Sequence, residues 1–420
     1  MGETKSPAEH DSGGWYSVPD LRLRDHRFTV PLDYSRDASP KINVFAREVI
    51  AVGKEDKKMP YLLYLEGGPG FESPRPTDAG GWINKACEEY RRGTGLSTPL
   101  TASSMLQLKS AKDLAKYLKH FRADNIVRLV PDAEPWTILG QSFGGFCGVT
   151  YLSFAPKGLK QVLLTGGIPR IEKGCTADAV YKACFQQVIC QNEKYYERFR
   201  QDIELIREVV QHLAESEGGG VSNSAILFYF MHMVRLPSGG MLTPRLLQII
   251  GLSGLGSSTG FERMHYILTT GCILIPILSL HFCMNLYIAR AEYDGKFDAI
   301  RAAKEGCHIF FTGGMIFPWM FDEVHALRNF KEAAHLLAEK TDWPPLYDVA
   351  TLRNNKIPIA AAVYYEDPYV NFKLAIGTAS QIAGIRLWVT NEYMHSGLVD
   401  GGGQVFEHLL GLLNGKKPSF

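Results

Sequence analysis

The sequence predicts an α/β protein: a mostly parallel sheet with helices on both faces and an inserted helical cap. Three observations predict it. Apolar runs of strand length recur at Met59–Leu65, Gln161–Gly167 and Lys356–Tyr365, and each suits a strand buried on both faces. Segments with helical spacing lie between the strands. A long, charged, helical stretch, roughly 170–340, separates the early strands from the last two.

The elements follow in order. Residues 1–20 read as a disordered or loose tail. Arg27–Val30 and Lys41–Val49 show partial alternation and read as strands, with a turn-rich segment at Asp33–Asp37 between them. Met59–Leu65 is a buried strand that runs into Glu66-Gly67-Gly68-Pro69-Gly70. Lys109–Phe121 places Leu114, Ala115 and Leu118 on one helical face. A short apolar run then ends at Gly140, and Phe146–Leu152 reads as a buried helix. Gln161–Gly167 is the next strand, and Ala177–Ala214 is helical. Lys356–Tyr365 and Gly384–Thr390 are late strands, and Val405–Leu413 is a closing helix. The expected organisation is a core at 21–169 and 341–420, with the cap at 170–340 inserted over the carboxyl edge of the sheet.

Bulk properties narrow the function. The chain has 420 residues and a formal net charge of +1, with no basic stripe, so nucleic acid is not an expected partner. Its eight cysteines are scattered without a Cys-x-x-Cys pair, which fits reduced thiols and no structural metal. The polar start, Met1–Gly14, lacks the apolar core of a secretory signal, and a cytoplasmic protein is expected. The run 267–288 carries no Asp, Glu, Lys or Arg and has the length of a membrane span, about 20 residues. It also holds Pro276, His281 and Asn285 inside a stretch that otherwise reads as soluble. A buried cap segment is the first reading, with a membrane span and a locally altered sequence as alternatives. The residues leave the oligomeric state open.

The chemistry centres on Gly140-Gln141-Ser142-Phe143-Gly144. Strand, sharp turn and helix with glycine two places either side of a serine is the pattern that holds a nucleophilic hydroxyl at the end of a strand. Such a serine needs a base, and the base needs an orienting acid. On this architecture the acid follows one late strand and the histidine follows the next. Asp367 and His395 fall there, with Glu366 the alternative acid. Two N–H donors must stabilise the tetrahedral oxyanion. Phe143 supplies one, and Gly68 or Gly67 in the glycine-rich loop supplies the other. Acyl transfer by this set needs no cofactor.

Together, Leu65-Glu66-Gly67-Gly68-Pro69-Gly70-Phe71, Arg92-Gly93-Thr94-Gly95-Leu96-Ser97 and the Ser142 turn resemble the proline iminopeptidase (prolyl aminopeptidase) family of α/β-hydrolases. Tyr365-Glu366-Asp367 and Asn391-Glu392-Tyr393-Met394-His395 match its larger-capped branch, and the resemblance runs from Phe28 to the C-terminus. It implies a serine exopeptidase that releases proline from peptides with a free N-terminal proline, through an acyl-enzyme on Ser142. It also implies a cap glutamate that holds the substrate ammonium, and Glu292 is the candidate. The chain departs from the family in four places, one of them a shortened helical region around Asn125-Ile126-Val127-Arg128 before the serine turn. A central strand before Arg92 is missing, residues 222–235 read as an insertion, and 267–288 do not match the family's cap. A small-substrate esterase or amidase, and a catalytically impaired hydrolase-like binding protein, are the alternative functions.

Overall fold

The computed structural model describes residues 9–36, 38–68, 73–89, 91–93, 108, 110–127, 134–172, 176–215, 240–270 and 295–416. Ten strands among them form one sheet. They are β1 (Glu9–Ser12), β2 (Tyr16–Val18), β3 (Leu21–Pro31), β4 (Lys41–Ala51), β5 (Tyr61–Leu65), β6 (Arg91–Gly93), β7 (Trp136–Gln141), β8 (Leu159–Thr165), β9 (Ile359–Tyr364) and β10 (Ile385–Thr390). The order across the sheet is β1-β3-β4-β6-β5-β7-β8-β9-β10, with β2 on β3. From β6 to β10 every neighbour pairs in parallel. The first four strands form an antiparallel end.

Alternation along the strands builds two cores, because successive side chains point to opposite faces. Leu139, Leu163, Ala360 and Ala362 face the helices Gly81–Glu89 and Gly402–Leu413, where Trp82 and Phe406 pack. Ile138, Val162, Leu164 and Ala361 face the helices Phe143–Phe154 and Phe372–Ala379. Of the runs that read as apolar on both faces, β9 and most of β8 are buried on both faces, whereas β5 buries Leu62 and Tyr64 on one face and leaves Leu63 and Leu65 partly buried and Tyr61 exposed on the other. The order reverses at β5, which has β6 on one side and β7 on the other. Such a reversal leaves a crevice beyond the carboxyl ends of the strands. The loop after β5 and Ser142 after β7 lie there.

Between β8 and β9 the described chain is a helical insert with a core of its own, in which Phe185, Val188, Tyr195, Val209, Leu247 and Phe311 are buried. Leu114 and Leu118 join that cluster. The helix Ala111–Leu118, which begins at a Ser110 cap, thus lies against the insert although it precedes the serine turn in sequence.

Three expectations change. The tail is partly a sheet edge: β1 and β2 pair with β3. All four residues of β1 are exposed, so no hydropathy signal marked it. The slot of the missing central strand is filled by Arg91–Gly93 themselves. This stub pairs three residues with β5 and a single one, Arg92 with Val49, with β4. The stretch Ala177–Ala214 divides into the helices Ala177–Arg198 and Asp202–Glu215, with the break at Phe199. Of the apolar run, residues 267–270 end the helix Gly260–Thr270, and 271–288 lie outside the described residues. No helix among the described residues is long and apolar enough to cross a membrane.

Candidate active site

Ser142 sits between β7 and the helix Phe143–Phe154 with φ 54° and ψ −121°, a backbone conformation costly for any side chain with a Cβ. Close packing enforces it. A Cβ on Gly144 would stand 2.0 Å from the Leu65 carbonyl oxygen, and one on Gly140 would stand 2.6 Å from that of Gly144. Helix and strand can approach this closely only without those side chains. Backbone bonds then fix the turn. Ser142 N–H donates to the Thr165 carbonyl at 3.0 Å, and Gly145 N–H donates to the Ser142 carbonyl at 2.8 Å.

His395, in the loop after β10, reaches the serine. Its Nε2 lies 2.9 Å from Ser142 Oγ, and its Nδ1 lies 2.8 Å from Asp367 Oδ2. Asp367, in the loop after β9, is buried at 2 % exposure. Its other oxygen, Oδ1, accepts from Tyr369 N–H at 2.8 Å and Val370 N–H at 2.9 Å. An ionised carboxylate only accepts, so Nδ1 carries the proton and Nε2 is free to accept the serine hydroxyl. Glu366, the alternative acid, turns elsewhere. Its carboxylate pairs with Lys194, and its carbonyl accepts from Gln191 Nε2 at 3.3 Å. Those two partners stand on the insert helix Ala177–Arg198.

The loop after β5 runs against the nucleophile. A Cβ on Gly67 would meet Ser142 Cβ at 2.8 Å and Oγ at 3.2 Å. Gly68 has φ 117°, a region that suits glycine. Phe143 is the first residue of its helix, where N–H groups have no partner within the helix. Both backbone N–H groups named from the sequence thus belong to the two segments that meet at Ser142. Glu292 lies outside the described residues, as does the part 94–97 of the Arg92–Ser97 motif.

Three contributors were given no role from the sequence. Gln141 Nε2 donates to the His395 carbonyl at 2.9 Å, tying the nucleophile strand to the histidine loop. Tyr369 packs its ring at 4.8 Å from that of His395. Glu66 accepts from Tyr64 OH at 2.8 Å and Gly67 N–H at 2.7 Å, beside the serine loop. Burial pushes the Glu66 carboxyl upward, against those bonds and the nearby imidazole, which pull it down. Its place before the two glycines was the one available signal.

No protein-family model matches the chain. Over 437 aligned positions it is 40% identical to a proline iminopeptidase of Aeromonas sobria, covering 94% of this chain and 98% of the relative. It is 30% identical over 440 positions to the proline iminopeptidase aneH of Aspergillus aculeatus, covering 93% of each. The alignment with the Aeromonas sobria protein is longer than this chain, so it includes positions of that relative that have no counterpart here. A solved bromoperoxidase of Bacillus anthracis is 12% identical with a TM-score of 0.40, covering 92% of this chain and 99% of the other, which is too slight to carry an argument.

Proposed function

The chain belongs to the proline iminopeptidase family and is a serine aminopeptidase with the α/β-hydrolase fold, and we propose that Ser142, His395 and Asp367 are its catalytic triad. One observation carries the proposal: His395 bridges Ser142 Oγ and Asp367 Oδ2 at 2.9 and 2.8 Å, from loops that follow three strands of one sheet.

Ser142 Oγ attacks the carbonyl of the first residue of the peptide, and His395 Nε2 takes its proton. Asp367 holds the imidazole in the required tautomer and stabilises the imidazolium that forms. The N–H groups of Gly68 and Phe143 stabilise the oxyanion of the tetrahedral intermediate. His395 then returns the proton to the leaving amine, and the acyl group stays on Ser142. Water, deprotonated by the same histidine, releases the free amino acid.

The substrate reading is a peptide with a free N-terminal proline, and Glu292 is the candidate partner for its ammonium. A carboxylate facing that group would select unblocked peptides through a charge-assisted bond. A cytoplasmic setting accompanies this reading. Cys87, Cys147, Cys184, Cys190 and Cys307 are free thiols, which suits a reducing compartment.

The test is hydrolysis of prolyl-aminomethylcoumarin by the full chain, beside an N-acetylated substrate and the Ser142→Ala variant. We expect turnover by the native chain alone. Equal cleavage of the blocked substrate would overturn the exopeptidase reading. Rapid labelling of Ser142 by a fluorophosphonate without prolyl turnover would move the esterase reading ahead.

A further inference from the structure

We propose that Tyr369 is a positioning residue that couples the helical insert to the base His395, an inference that rests on the triad reading above. Four sets of contacts meet at this side chain or beside it. Its backbone N–H donates to Asp367 Oδ1 at 2.8 Å. Its ring meets the imidazole of His395 nearly at right angles, at 78° with centroids 4.8 Å apart. Its hydroxyl reaches the insert, donating to the Leu252 carbonyl at 2.7 Å, with the Gly251 carbonyl at 3.3 Å. The same segment of the insert closes over the histidine loop, where the Gly256 carbonyl accepts from Ser396 N–H at 2.9 Å.

Asp367 holds Nδ1 and Ser142 Oγ lies against Nε2, and these two contacts in the plane of the imidazole leave the ring able to turn about the line that joins them. An aromatic ring packed across it removes that freedom. The ring of Tyr369 is in turn held by its hydroxyl and by the absence of side chains beside it. A Cβ on Gly256 would stand 2.1 Å from Tyr369 Cε2, and one on Gly314 would stand 3.0 Å from Cδ1. Burial raises the phenol far above its usual pKa, so it stays a donor throughout the working range. A second anchor ties insert to core next to this contact: Ser257 Oγ and Ser258 N–H donate to Asp400 at 3.2 and 2.7 Å. The insert therefore grips the acid and base loops through Tyr369 and through the backbone at Gly256.

Tyr369→Phe, Tyr369→Leu and Gly256→Ala separate the parts. Each is assayed for kcat and KM on the prolyl amide, for the rate of fluorophosphonate labelling at Ser142, and for its thermal midpoint. Tyr369→Leu removes the ring. A misplacement of the base near 1 Å should lower kcat and labelling together by about 10- to 100-fold, with KM changed far less. Tyr369→Phe keeps the ring and loses only the hydroxyl contacts, so it should recover most of that loss. Gly256→Ala leaves every polar group in place yet crowds the ring, and should resemble Tyr369→Leu. A folded Tyr369→Leu with native kcat and labelling would overturn the proposal. So would a Tyr369→Phe as impaired as Tyr369→Leu, or a folded Gly256→Ala with native rates. Because labelling needs only Ser142 and its base, failure of the prolyl substrate reading would show separately, as native labelling without prolyl turnover.

Discussion

The serine turn and the histidine loop meet through the Ser142–His395 contact and the Gln141 bond to the His395 carbonyl, but the turn and the acid–base loops are held by different means. Ser142 is fixed by its own neighbourhood in sequence. Gly140, Gly144 and the strand β7 shape the turn, and β5 and β8 wall it in. Asp367 and His395 depend on the insert. Gln191 holds the carbonyl of Glu366, Cys184 Sγ reaches the carbonyl of Tyr369, and Gly256 holds Ser396. Ser142, the proposed nucleophile, is thus part of the sheet, whereas the proposed proton-transfer pair is braced by a separately packed helical core. A change in the insert should therefore disturb proton transfer first and leave the strained serine turn intact.

Four substitutions would break or sharpen that contrast. Asp367→Asn keeps the shape but leaves His395 in the wrong tautomer. We expect kcat to fall by about 10⁴-fold, as for a triad of this type, with an unchanged thermal midpoint on the same sample. Gly144→Ala attacks the other side. Its Cβ would lie inside contact distance of a backbone oxygen that cannot rotate away. Destabilisation of roughly 3–5 kcal/mol is expected in urea unfolding, among the largest effects of a single substitution. A native-like midpoint would show that close packing does not hold the turn.

Gln191→Leu tests the brace. It removes the bond to the Glu366 carbonyl, worth about 1 kcal/mol, and we expect kcat to drop by about fivefold with KM unchanged. Unaltered kcat would mean that the insert does not steady the acid loop through this contact.

Glu66→Gln gives the smallest and most pH-dependent effect. The folded carboxyl titrates above its ordinary value, chiefly because burial penalises the charge. Its stability contribution is therefore complete below the unfolded value, near 4.3, and is lost as pH rises through the raised folded value. The variant should gain on the native chain as pH rises above about 4 in paired thermal melts. A gap that stays constant with pH would mean that the folded carboxyl titrates where the unfolded one does.

Much of the site was legible because the chemistry demands local patterns. The serine turn needs small residues at fixed offsets, so Gly140-x-Ser142-x-Gly144 stands out in any reading. Asp367 and His395 follow apolar runs that end visibly, and the strands β9 and β10 put them side by side. Position favoured Asp367, with its neighbour Glu366 the alternative. In the structure Lys194 draws Glu366 away and two backbone N–H groups receive Asp367. Strands β1 and β2 were missed because a polar sheet edge buries little and leaves no hydropathy signal.

By itself, the sequence carried the fold class, the serine turn, and the order of the proposed nucleophile, acid and base. Each depends on residues near one another in the chain or on the strand period. The tertiary structure alone decided what fills the slot beside β5, where three residues complete the ladder. It alone decided that the helix Ala111–Leu118 belongs with the insert's core, and that Tyr369 and Gly256 brace the base. Those outcomes rest on contacts between residues far apart in the chain, formed by side-chain volume and backbone groups that carry no pattern of their own.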